Sequence, residues 1–269
     1  MAKVLVTGGT GSLGRAVIAR LVSRKHKVRL LSRKSHLSVR KEVEVAQGDL
    51  ESPATLQEAI VGVDAIMHCA TDACRSRTVD VKGTEALVRA ARENGSPHFV
   101  YISIVGVDRS TYGYYQDKHA CEEMIEQSGL RWTILRATQF HDLVLRIIRS
   151  IRADMLPIVP VPRGMRFQSI DLGEVADRLV GLLERGPVGR APDIGGPQVR
   201  TIEDMTRAYL HFGKRHALVF PLPIPGALIK EFRSGINLCP AQADGVITWE
   251  EFLQCRAMTQ SLAAEAEWK

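Results

Sequence analysis

Short apolar runs alternate with amphipathic stretches along the first half of the chain. Residues 3–7 (Lys-Val-Leu-Val-Thr) read as a buried strand, and 12–24 as a helix whose apolar positions Leu13, Val17, Ile18 and Leu21 fall on one face. The same alternation continues with strands near 27–32, 43–47, 63–69, 98–103 and 131–137 and helical patterns near 53–61, 78–94 and 115–128. Repeated strand-then-helix order predicts an α/β fold: a doubly wound parallel sheet with helices on both faces. Ser52-Pro53 and Asp171 mark helix starts, by proline at the first helical position and by a carboxylate cap.

Beyond about residue 150 the pattern loosens. Prolines cluster at 157, 160 and 162 and again at 221, 223 and 225, between helices expected near 172–185, 202–212, 225–233 and 249–257. The expected organisation is a sheet domain over 1–150 and a smaller α/β, substrate-binding lobe over 151–269, packed at the carboxyl ends of the strands. Open α/β sheets bind ligands at that edge.

With 45% hydrophobic and 25% charged residues in 269, the chain is no disordered, collagen-like or coiled-coil sequence. No apolar run approaches the roughly 20 residues that span a bilayer, and glycines interrupt the start before a signal-peptide core forms, so a cytoplasmic protein without a membrane partner is expected. The five cysteines form no CxxC pair, which argues against a disulfide framework or a zinc site.

The formal charge of +6 is unevenly spread: residues 1–150 hold 22 basic and 16 acidic side chains, and residues 151–269 hold 14 of each. Eleven basic residues precede the first carboxylate, Glu42. Their helical and strand spacing, without an aromatic stacking motif, argues against a nucleic-acid partner.

Directly after the first strand stands Thr7-Gly8-Gly9-Thr10-Gly11-Ser12-Leu13-Gly14, whose Gly8, Gly11 and Gly14 give the spacing GxxGxxG. In a strand–turn–helix setting this spacing suits a dinucleotide: one glycine for the tight turn, one for approach to the pyrophosphate, one for close helix packing. Gly8, Thr10, Gly11, Ser12, Leu13 and Gly14 are the expected cradle. About twenty residues on, where a carboxylate would bind a ribose 2′-hydroxyl, the chain offers Ser32, Arg33 and Lys34. Arg33 and Lys34 attract a 2′-phosphate, which favours NADP(H) over NAD(H). Asp49, in Gly48-Asp49-Leu50, is placed to accept from the adenine amino group, with Leu50 beside it, and Cys69-Ala70-Thr71 offers small residues where backbone passes the cofactor.

Tyr114 and Lys118 are four apart at the start of a helix, so they share a face, and a nearby ammonium readies a phenol for proton transfer. Together with the glycine loop, YxxxK, the run Tyr101–Asp108, the segment Trp132–His141 and the closing Thr248–Phe252, the chain resembles the atypical short-chain dehydrogenase/reductase superfamily, and within it the NmrA-like NAD(P)-binding family. The resemblance implies a Rossmann-type sheet, proton transfer by Tyr114, a Lys118 that holds the nicotinamide ribose and tunes Tyr114, and a Ser103 that orients the substrate oxygen. Ile104 stands where related chains with a double serine carry the catalytic one, which points to a Tyr114/Lys118 dyad, and Tyr115 competes with Tyr114 for the exposed position.

Gln139, Phe140 and His141 follow the sixth strand and are placed either to line a pocket or, for His141, to serve as a satisfied structural histidine. The tail around Asp244–Phe252 imitates half of a calcium loop, but Pro240 and Gln242 occupy ligand positions, so Thr248 and Glu251 read instead as a capping box. Two functions follow: an NADPH-dependent reductase of a small or medium carbonyl, enone or quinone-like substrate, or a non-catalytic NADP(H) sensor presenting a surface to a protein. Sugar-nucleotide epimerisation is disfavoured by the short C-terminal lobe. Monomer and homodimer both remain open.

Overall fold

The structure, a computed structural model, describes residues 1–266 apart from 35, 36, 38, 39, 152 and 154, with backbone alone over 258–266. The chain runs β1 (Lys3–Thr7), α1 (Ser12–Ser23), β2 (Lys27–Ser32), β3 (Val43–Gln47), α2 (Pro53–Ile60), β4 (Ala65–His68) and a π-helical turn (Arg77–Lys82) that leads into α3 (Gly83–Glu93). It continues through β5 (His98–Ile104), α4 (Gly113–Glu126), β6 (Trp132–Ala137), α5 (His141–Ser150), β7 (Ile158–Pro162), β8 (Arg166–Phe167), α6 (Leu172–Arg185) and β9 (Gly189–Arg190). The remainder is β10 (Arg200–Thr201), α7 (Ile202–Phe212), β11 (Leu218–Leu222), α8 (Ala227–Ser234), a short 3-10 turn at Pro240–Gln242 and α9 (Trp249–Ala266).

Two compact units are formed: Met1–Arg136 with Leu172–Asp193, and Ala137–Asp171 with Ile194–Lys269. The second half of the sequence therefore contributes α6 and β9 to the first unit.

In the first unit seven strands lie in the order β3-β2-β1-β4-β5-β6-β9, and the described pairings are parallel. Parallel strands covered on both faces are buried throughout, which is why Ala65-Ile66-Met67-His68 is apolar up to its last residue and wholly buried. Leu13, Val17 and Leu21 of α1 are buried as their spacing predicts, and α1 packs against α6, whose Val175, Leu179, Val180 and Leu183 face inward. Leu56, Ile60, Leu87 and Ile125 from α2, α3 and α4 form a core with Leu5, Ile66, Phe99 and Tyr101 of the sheet. The order reverses between β1 and β4: the chain winds outward through β2 and β3, then returns through β4, β5 and β6. Ligands bind at such a switch point, beyond the carboxyl ends of the strands.

The second unit holds two small sheets, β10 with β8 and β11 with β7. Gln139, Phe140 and His141 belong to it. His141 is buried, with Nδ1 2.8 Å from Ser169 Oγ and Nε2 3.0 Å from the Ile247 carbonyl, and the Gln139 amide oxygen accepts from Asn237 Nδ2 at 2.9 Å. His141 is thus a satisfied structural histidine. At the start of α9 the Thr248 N–H donates to the Glu251 carboxylate at 2.8 Å and the Glu251 N–H to Thr248 Oγ1 at 3.2 Å, forming the capping box that the sequence predicts.

Candidate active site

The glycine loop is built by close approach. The chain leaves β1 through Gly8 at φ +67°, and a Cβ there would lie 2.6 Å from the backbone of Ala70, so the exits of β1 and β4 touch. The Gly11 N–H donates to the Gly8 carbonyl at 2.9 Å, closing the turn. A Cβ on Gly14 would fall 2.2 Å from that same carbonyl oxygen, so the first turn of α1 rests directly on the loop. A Cβ on Gly11 would have the Gly8 carbonyl as its one neighbour within 4 Å, at 3.2 Å, and would project into open space above the loop. No side chain caps α1 and its first turn carries no carboxylate, which leaves the N–H groups around Ser12 and Leu13 and the helix dipole to an outside anion. Arg15 adds a positive charge, its Nε donating to the Thr10 carbonyl at 2.9 Å.

Beside this cradle the N-terminal basic residues divide into two groups. Lys3 and Arg29 pair with Glu44, and Arg20 and Arg24 with Asp177 and Glu184. Arg33 and Lys34, directly after β2, are exposed, and among the described residues no ion pair engages them. Asp49 is half-buried, one carboxylate oxygen accepting the Glu51 N–H at 3.0 Å, and Leu50 is buried against Gly83. Burial pushes the Cys69 thiol up to about 12, against the nearby Lys118 charge, so Cys69 serves as a small inert residue.

Tyr114 is half-buried and Tyr115 buried, which settles which of the two tyrosines is accessible. The Tyr114 hydroxyl lies 2.8 Å from Thr71 Oγ1, and Thr71 Oγ1 donates to Asp80 Oδ1 at 2.7 Å. Thr71 has one proton and gives it to the carboxylate, so in the contact with Tyr114 the phenol is the donor. Burial raises the Tyr114 pKa despite the Thr71 hydrogen bond, and the Asp80 charge adds to the rise, so the phenol keeps its proton at neutral pH. Once that proton leaves, Thr71 can turn its own from Asp80 to the phenolate.

Lys118 is buried. Its ammonium donates to the Ile102 carbonyl at 2.9 Å, lies 4.2 Å from the Tyr101 ring centre and 3.8 Å from Asp80 Oδ1. Burial lowers its pKa, opposed chiefly by Asp80. Lys118 and Tyr114 are therefore linked through Asp80 and Thr71. Ser103 stands apart: its buried hydroxyl abuts the Glu122 carboxylate and has no well-formed hydrogen bond. Burial would raise Glu122, but hydrogen bonds from Arg136 (2.9 and 2.6 Å) and Arg190 (2.9 Å) outweigh it and hold the carboxyl low.

Residue-type reasoning missed Asp80, His68, Thr7 and Thr84. Their signal was a polar side chain at a core position: Asp80 between Val79 and Val81, His68 ending an apolar strand. His68 Nδ1 is 2.6 Å from Thr7 Oγ1 and Nε2 3.0 Å from Thr84 Oγ1, and its ring stacks on Tyr101. Burial, with the Lys118 charge second, lowers its pKa to about 3. Between that value and the ordinary 6.5 only the unfolded chain binds the proton, so stability falls as pH drops below about 6.5. Thermal melts across this range should show a declining melting temperature, and His68→Gln should flatten the slope; an unchanged slope would assign the loss to other groups.

A glycine loop at the switch point of a parallel sheet, under an uncapped helix start, defines a nucleotide-binding α/β protein. Over residues 8–150 the sequence matches the family described as NAD(P)H-binding, and the chain belongs to that family. Its loop fits such a cofactor: the space above Gly11 and the bare end of α1 suit a pyrophosphate. Relatives include a Streptomyces griseus (4-alkanoyl-5-oxo-2,5-dihydrofuran-3-yl)methyl phosphate reductase, 29% identical over 216 residues (76% of this chain, 71% of the relative). The photosystem II assembly factor Ycf39 of Synechocystis is 32% identical over 150 residues (51% and 45%). An uncharacterized Mycobacterium bovis protein is 26% identical over 196 residues, and there the chain spans 21% of the relative's length. Among solved structures, Citrobacter triphenylmethane reductase complexed with NADP(H) superposes with a TM-score of 0.76 at 18% identity, covering 94% of this chain and 99% of that one. The Escherichia coli quinone oxidoreductase QOR2 with NADPH gives 0.76 at 17% (93% and 98%). These likenesses show the fold. Among the described residues no helix is long and apolar enough to cross a membrane.

Proposed function

We propose that the protein is an NADPH-dependent reductase of a small or medium carbonyl, enone or quinone-like substrate. The observation that carries this reading is the half-buried Tyr114 phenol, protonated at neutral pH and backed by Thr71, Asp80 and the buried Lys118. Bound NADPH would supply the hydride. Tyr114 would give its proton to the substrate oxygen, Thr71 would turn its proton to the phenolate, and the Lys118 ammonium would lower the cost of negative charge there. Gly8, Gly11, Gly14, Ser12 and Leu13 would hold the pyrophosphate, and Asp49 with Leu50 the adenine. The test is loss of NADPH absorbance with purified protein over a panel of quinones, enones and aldehydes; tight cofactor binding with no turnover on the whole panel would remove the reading.

The preference for NADPH rests on Arg33 and Lys34, left exposed while Lys3, Arg20, Arg24 and Arg29 are paired. A charge-assisted hydrogen bond from Arg33 to a 2′-phosphate corresponds to about a 10- to 100-fold gain in affinity. Arg33→Asp should shift the NADPH-to-NADH affinity ratio by that factor in titrations of both cofactors. Equal affinities in the unmodified protein would make Arg33 a solvated surface residue.

A second reading, a non-catalytic NADP(H) sensor, draws on Ser103, whose hydroxyl faces Glu122, and on the likeness to an assembly factor over half of the chain. It predicts cofactor binding without turnover and a co-purifying protein.

A further inference from the structure

The second unit carries a surface that the reductase reading does not use. In its two-stranded parallel sheet, Ile158 pairs with Leu218 and Pro160 with Phe220. The alternate residues Val159, Val161 and Val219 are buried, and α7 packs against both strands. The opposite face is turned to solvent: Ile158 is 53% exposed, Leu218 62% and Phe220 50%, and Met155, just before β7, is 65% exposed. Large apolar side chains grouped in this way mark an interaction surface.

Two features say what covers it. The chain enters β11 from a shallow concavity lined by Arg207, Leu210, His211, Lys214, Arg215, His216 and Ala217, so Lys214 and Arg215 precede Leu218 by four and three residues. Arg207 is paired with Asp204, whereas among the described residues no ion pair engages Lys214 or Arg215. The stretch 205–230 contains no carboxylate at all. An apolar face beside unpaired basic side chains complements an apolar layer beneath a negatively charged one. A second copy fits poorly: docked face to face, it would bring the two basic rims together. Strand addition is also opposed, since Pro160, Pro162 and Pro221 cannot donate along the sheet edges.

Against the sequence-based expectation of no membrane partner, we propose that the outer face of the β7–β11 sheet, with Lys214 and Arg215, is a docking surface for an anionic lipid bilayer. Leu218, Phe220 and Ile158 enter the acyl boundary while the basic residues meet the headgroups.

The experiment is sedimentation of the full-length protein with vesicles of phosphatidylcholine alone or of equimolar phosphatidylglycerol and phosphatidylcholine, at low and high salt. Binding is expected to the anionic vesicles, weakening with salt. Each basic side chain near the surface contributes about fivefold, so Lys214→Ala with Arg215→Ala should weaken partition roughly 25-fold. Leu218→Ser with Phe220→Ser should weaken it at least about tenfold through lost apolar burial. NADPH affinity should stay unchanged in both variants, which shows that the protein is folded. Phe220→Trp provides a reporter independent of those variants: its emission should shift to the blue on anionic vesicles. Equal binding to both vesicle types, binding unaffected by the substitutions, an unshifted emission, or a concentration-dependent dimer dissolved by Phe220→Ser would each overturn the proposal.

Discussion

Tyr114→Phe is expected to lower substrate-dependent NADPH oxidation by about 10²- to 10⁴-fold, the range supplied by a positioned general acid, with NADPH affinity and melting temperature nearly unchanged. The substitution removes one hydroxyl and leaves the ring among Tyr112 and Tyr115. Thr71 keeps its bond to Asp80, so no buried polar group is orphaned. Lys118→Met should lower turnover comparably but also stability, because it leaves the buried Asp80 carboxylate without its cation; breaking a buried pair costs about 3–5 kcal/mol. Measuring turnover and thermal melting on both variants separates chemistry from folding. Unchanged turnover in Tyr114→Phe would take the phenol out of the mechanism.

The second large effect concerns the glycine loop, where two substitutions of the same size should behave differently. Gly14→Ala sets a methyl 2.2 Å from the Gly8 carbonyl oxygen and 2.6 Å from Gly9 Cα, so the loop must move. Overpacking of this kind costs about 1–3 kcal/mol, and a displaced loop should lose NADPH affinity as well. Gly11→Ala meets only the Gly8 carbonyl at 3.2 Å, and Gly11 has φ −76°, which any residue adopts. Its methyl instead fills the space a pyrophosphate would take. Gly11→Ala should therefore keep the melting temperature of the cofactor-free protein while weakening NADPH binding at least about tenfold. Equal losses of stability in both variants would show that Gly11 is needed for the turn rather than for the ligand.

The sheet of the first unit was legible because buried parallel strands are continuous apolar runs and the helices between them keep one apolar face. β1, β2 and β3 lie where the pattern puts them, and α6 and α7 begin and end as expected. β8, β9 and β10, at two residues each, are too short to show any period. β7 and β11 carry prolines that argue against strands, yet among the described residues they pair with each other in a two-stranded sheet. α5 starts at His141 without an acidic or hydroxyl cap, which hid it. The glycine loop and the Tyr114/Lys118 spacing were visible as local motifs. The link between them was not, since Thr71, Asp80 and Lys118 meet only when β4, the π-helical turn and α4 come together. Ser103 was placed by resemblance at the substrate oxygen, whereas the structure sets it against Glu122, with Arg136 and Arg190 behind.

The π-helical turn at Arg77–Lys82 amounts to one extra residue inserted ahead of α3. In an α-helix one residue corresponds to about 100° of rotation, since a turn holds 3.6 residues. The segment between Thr71 and Thr84 therefore keeps a fixed count: deleting a single residue there would swing Asp80 away from both Thr71 and Lys118 while leaving the apolar run of α3 intact. A chain one residue shorter across this segment is expected to be disconnected between its phenol and its ammonium, and less stable through the buried Asp80 left without its cation. Related chains that keep the link are therefore expected to keep this segment's length.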